Sequence, residues 1–83
     1  MTTIRSATAA DIETLARWAE AMALETEGKV LDATTIRAGI AAGLADPHKA
    51  RYFVAEHEGR AVGTLMLTTE WSDWRNGWWW WIQ

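Results

Sequence analysis

Four consecutive tryptophans and an isoleucine, Trp78-Trp79-Trp80-Trp81-Ile82, constrain this chain more than any other feature. Side chains on a strand alternate between two faces, and a half-solvated antiparallel strand therefore alternates apolar with polar residues. Five large apolar residues in a row demand cover on both faces. Trp71 and Trp74 precede the run, so six of the seven tryptophans fall within the last thirteen residues. A chain of 83 residues makes one small domain, and folding at that size hides only about 60–65% of the accessible surface. The sequence offers two helical segments to cover one face of the terminal strand and none for the other. The exposed indoles are then expected to form a patch of roughly several hundred Å².

Composition closes off several functions. With no cysteine there is no disulfide, thiolate nucleophile or cysteine-ligated metal site. A net charge of −3 argues against affinity gained by neutralising phosphates, so no nucleic-acid partner is expected. The opening Met1-Thr2-Thr3-Ile4-Arg5 lacks the pattern of a signal peptide, and no run of about 18 apolar residues exists to span a bilayer. A cytoplasmic protein without a membrane partner is the expectation. Stacked tryptophans also serve as platforms for single-stranded nucleic acid or sugars, but Arg75 is the lone cation in the last twenty residues. Packing in a core or interface is the favoured reading.

Residues 2–6 suit a short strand. Thr8 with Asp11 three positions on predicts a helix starting at Ala9, whose Ile12, Leu15, Ala16, Ala19, Met22 and Ala23 share one stripe. Asp32 predicts a second cap, with Leu31 and Ile36 spaced as a hydrophobic staple, and a helix over about 33–45 that Asp46-Pro47 ends. Tyr52-Phe53-Val54, a Glu58-Gly59 turn and the segment 61–69 predict an antiparallel hairpin. Glu70 to Gly77 reads as a loop, and the tryptophan run as a last strand.

This order, the opening Ile4-Arg5-Ser6-Ala7-Thr8-Ala9-Ala10-Asp11, the strand Tyr52-Phe53-Val54-Ala55-Glu56 and the segment Arg60-Ala61-Val62-Gly63-Thr64-Leu65 resemble the N-terminal half of the GNAT superfamily of acetyl-CoA-dependent N-acetyltransferases. The resemblance covers the whole chain and implies an α/β fold of order β-α-α-β-β-β, with a mostly antiparallel sheet and two helices on one face. It also implies a fourth strand splayed from a fifth, with acetyl-CoA in the gap and its pyrophosphate on a glycine-rich loop at a helix start, where free amides attract anions. The sequence ends at Gln83, before such a loop. Residues 1–83 therefore read as a single partial domain, truncated, binding no acetyl-CoA and inactive alone, completed by a missing C-terminal half or by self-association.

Acetyl transfer to an amine needs a group to take a proton from the acceptor. Glu70 and Asp73, beside Trp71, are candidates to bind an ammonium acceptor, with solvated loop carboxylates as the alternative. Glu25 and Glu27, between the two helices, lie on what the resemblance makes the acceptor side. Trp71 and Trp74 are candidates to wall the acceptor pocket, or simply pack. No catalytic base is identified, because the fourth strand offers only Trp, Ile and Gln where the family often places one. His48 and His57 match no metal-site spacing, so no metal is expected. Gly39 and Gly43 suit close packing of a helix on a sheet. Two functions follow: a small-molecule amine N-acetyltransferase lacking its donor site, or a non-catalytic interaction module that dimerises through Trp78, Trp79, Trp80, Trp81 and Ile82.

Overall fold

Asp32 fixes where the second helix begins. In the computed structural model, which describes residues 1–83, its carboxylate accepts the Thr35 N–H at 2.8 Å and the Thr35 hydroxyl at 2.7 Å. That satisfies one of the amides a helix start leaves free. Helix α2 runs Ala33–Ala45, as the cap and Asp46-Pro47 predict. The first helix departs from expectation. A single 3-10 turn, Ala9–Asp11, comes first, and helix α1 spans Ile12–Glu27. The cause is Asp11, whose carboxylate accepts the Thr8 N–H and both terminal nitrogens of Arg5, each at 2.8 Å, drawing the first turn tight. At the far end Gly28 adopts φ +64°, and its N–H and that of Lys29 close on the carbonyls of Leu24 and Ala23.

Strands β1 (Thr2–Ser6), β2 (Arg51–His57), β3 (Arg60–Ser72) and β4 (Gly77–Ile82) form one antiparallel sheet in that order. Glu58 and Gly59 both take positive φ, 52° and 75°, the mirror-image turn whose twist suits a two-residue hairpin. Ala55 and Glu56 pair with Gly63 and Ala61, leaving Val62 as a bulge. The third strand is longer than the sequence predicts. Glu70, Trp71 and Ser72, read as loop, continue β3 opposite Trp79, Trp78 and Gly77, and the turn shrinks to residues 73–76.

Both helices lie on one face of the sheet. Alternation puts Arg5, Tyr52, Val54, Met66, Glu70, Trp79 and Trp81 on the helix side, and Ile4, Phe53, Leu65, Trp71, Trp78, Trp80 and Ile82 on the other. The buried hydrophobic core is small: Leu15, Ala16, Ile40, Ala50 and Val54. Gly43 brings α2 onto β2, because a Cβ there would stand 2.9 Å from Tyr52 Cε2, whereas Gly39 has open space. The helices do not reach β4. The sequence predicts helical cover for one face of this strand, but Trp79 and Trp81 on the helix side are 39% and 50% exposed, so the tryptophan strand is uncovered on both faces. Sixteen plus thirteen helical residues, anchored at β2, are too little layer for four strands.

Ion pairs tie the layers. Arg5 joins Asp11 to Glu56 on β2, and Arg37 of α2 reaches Glu13 at 2.9 Å and Glu20 at 3.3 Å on α1. The Arg5 hydrogen bonds, reinforced by the Thr8 amide, hold the Asp11 carboxyl at about 2, below its ordinary 3.8. A carboxyl depressed in the folded state stabilises fully above its unfolded value, and that contribution is lost as pH falls through the folded value.

Two outcomes follow. Gly43→Ala lowers unfolding free energy by about 1–2 kcal/mol, overpacking outweighing the gain in helix propensity, while Gly39→Ala raises it by roughly 0.5–1 kcal/mol in urea titrations. Asp11→Asn costs on the order of 2 kcal/mol at neutral pH and flattens the loss of stability between about pH 4 and pH 2, measured by denaturation across that range.

Candidate functional site

The acceptor-site candidates occupy three separate places. Glu25 and Glu27 are exposed on the last turn of α1, where Glu27 lies 3.9 Å from the Lys29 ammonium. Glu70 stands on the helix face of β3 opposite Trp79. Its neighbour Trp71 points to the other face, where its ring meets Trp78 edge-on at 5.3 Å. Asp73 and Trp74 sit in the turn, and Trp74 is 96% exposed. Pleating thus separates Glu70 from Trp71, adjacent though they are in sequence.

A different set of residues encloses space. Between α1, α2 and the sheet lies a cavity of about 440 Å³, walled by Leu15, Trp18, Met22, Ile40, Tyr52 and Met66 among others, with Gln83 at its rim. That volume suits a small organic group. The Gln83 amide donates to Thr68 Oγ1 at 2.8 Å, and its backbone N–H to the Met66 carbonyl at 2.9 Å. Burial pushes the Tyr52 phenol up, so it stays protonated. No carboxylate, imidazole or cation lines this space. It can select the apolar part of a ligand by shape, but it has no group to remove a proton. Trp18, three residues after Leu15 and four before Met22 on one helical stripe, was the available signal for it.

Cations stand elsewhere. Arg75 stacks on Trp79 with its guanidinium carbon 4.3 Å from the ring centroid, and Arg51 on Trp80 at 5.4 Å, so each face of β4 carries one cation–π contact. No three His, Asp or Glu side chains gather as a metal site, and no helix is long and apolar enough to cross a membrane. Asp11 and Asp32 place carboxylates at the two helical starts. A fixed carboxylate at each start repels an anion, so these helix ends do not fit the diphosphate of acetyl-CoA.

No protein-family model and no curated protein matches the chain. Two solved structures do. A possible acetyltransferase from Clostridium difficile 630 is 42% identical, with TM-score 0.94, over 100% of this chain and 55% of that one. An integron cassette protein from the mobile metagenome of Cole Harbour Salt Marsh is 23% identical, with TM-score 0.84, over 93% of this chain and 50% of that one. The second shows likeness of fold alone. The chain spans about half the length of either structure, and its fold is acetyltransferase-like.

The edge-on tryptophan pair is separable from simple burial. A double-mutant cycle on Trp71→Ala and Trp78→Ala should give a coupling of about 0.5–1 kcal/mol, read from urea midpoints. Strict additivity would mean that the rings do not interact.

Proposed function

We propose that these 83 residues are the acceptor-side half of a GNAT-type N-acetyltransferase. The observation that carries this reading is the match of the entire chain to a possible acetyltransferase at 42% identity and TM-score 0.94. In this reading the apolar cavity takes the carbon skeleton of a small amine acceptor. Glu70 and Asp73 stand outside that cavity, on β3 and its turn, and lend only a diffuse negative field to an approaching ammonium group, and the protein works in the cytoplasm. The acetyl donor is held by elements outside residues 1–83, consistent with the greater length of the matching structures and with the carboxylate-capped helix starts. The chain alone therefore turns over no acetyl-CoA.

The test supplies what the reading says is needed. The portion of the Clostridium difficile protein beyond the matched 55% is fused after Gln83. The chimera should bind acetyl-CoA by calorimetry and release free thiol with at least one primary amine, while the 83-residue chain does neither. A chimera that unfolds cooperatively yet neither binds nor transfers overturns the assignment. Micromolar binding by the unfused chain overturns its inactivity.

A further inference from the structure

β4 closes the sheet on one side with its outer edge open. Its strand register decides which backbone groups face outward. The Gln83 N–H reaches the Met66 carbonyl directly opposite, so this is a hydrogen-bonded pair. Such pairs alternate along an antiparallel ladder, and Trp81 and Trp79 therefore also bond inward to β3. Trp78, Trp80 and Ile82 direct their N–H and C=O groups away from the sheet.

From this we propose that two copies of the chain pair through β4, antiparallel about a twofold axis at Trp80, to make one continuous eight-stranded sheet. The inference does not rest on the acetyltransferase reading. A twofold axis requires some residue to face its own copy, because adjacent pairs in the ladder are of different type. With Trp80 on the axis, Trp80 pairs with Trp80 of the second copy, and Trp78 pairs with Ile82 in both directions. All three pairs are of the hydrogen-bonded type, two bonds each, giving six. Centring on Trp79 or Trp81 gives only four, since one outward residue falls opposite a position beyond the strand.

Chemistry favours this edge over the other. Gly77–Ile82 carries no charge and no proline, the devices that normally protect an exposed edge, whereas β1 offers Thr2, Thr3, Arg5 and Ser6. Trp78 to Trp81 are 39–61% exposed and Ile82 75% exposed. Edge pairing covers the backbone edge and the flanks of these side chains while their outer faces stay open, which places the contact among weak interfaces, below about 1,200 Å². The result is a concentration-dependent dimer with dissociation in the micromolar range.

Sedimentation equilibrium of the 83-residue chain from about 1 to 200 µM tests it. The expected result is a monomer–dimer transition that Trp80→Pro abolishes without loss of β-sheet circular dichroism, because the lost N–H faces outward. Two single-cysteine variants test the register even if that proline unfolds the hairpin. Trp80→Cys should oxidise to a disulfide-linked dimer, its opposed Cα atoms standing about 5.5 Å apart, whereas Trp79→Cys should not, its copies lying about 8 Å apart on the diagonal. A monomer throughout the range overturns the proposal, as does a dimer that survives Trp80→Pro in a folded chain. Crosslinking by Trp79→Cys in preference to Trp80→Cys overturns the register. A monomer whose Trp80 amide nonetheless resists hydrogen exchange would show the edge covered within one chain, and would also overturn it.

Discussion

A β-sheet that is apolar on both faces needs two covering layers, and this one has a single pair of helices. That imbalance governs the rest of the molecule. The helices meet the sheet over β2, where Val54 is fully buried, and lose contact toward β4. The opposite face presents Ile4, Phe53, Leu65, Trp71, Trp78 and Trp80 without any helix. At about 25 cal/mol per Å², a few hundred Å² of exposed apolar surface represents many kcal/mol of unrealised burial, comparable to the net stability of a small domain. An occupant for these surfaces is therefore the strongest demand the structure makes.

What seats the helical layer is packing, with electrostatics in support. Gly43 lets the α2 backbone lie on the Tyr52 ring, an approach no larger residue permits without displacing it. The Arg37 links to Glu13 and Glu20 lie at the solvent-facing side of the helix pair, where screening leaves ion pairs little net worth. The Arg5 cluster differs, since Asp11 is buried and accepts from both a guanidinium and an amide. Removing Arg5 would strand the buried Asp11 carboxylate, so this network specifies how β1, the first turn of helix and β2 meet. The cavity between helices and sheet is the residue of the same geometry. α2 is pinned at Tyr52 on β2, whereas α1 packs mainly on α2 and leaves room above the sheet.

Much of the fold was legible because local chemistry and tertiary demand agree. The bounds of α2 follow from Asp32 and Pro47, and the hairpin from Glu58-Gly59. The β3 extension was not legible. Glu70 and Ser72 read as loop residues by composition, yet they alternate with Trp71 and pair with β4, so cross-strand pairing overrode local preference. The late start of α1 was hidden because Asp11 serves Arg5 on β1 as well as Thr8, a contact between elements that no helical spacing shows. The candidate carboxylates were named from their sequence neighbours, and the pleat divides those neighbours between faces. The cavity was invisible for a related reason: it is a space between layers, and only Trp18 on the Leu15–Met22 stripe hinted at it.

The two readings of β4, a strand awaiting more of an acetyltransferase fold and a strand that recruits a second copy, rest on one property and compete for it. The outward groups of Trp78, Trp80 and Ile82 can each be satisfied only once. A segment tethered to the same chain acts at an effective concentration in the millimolar range, whereas a second copy is present at its bulk concentration. Wherever a tethered strand fits this edge, it displaces a micromolar dimer by mass action. The proposed pairing between copies thus belongs to the 83 residues by themselves, and the uncharged edge that would permit it is the same one a fully covered internal strand would use.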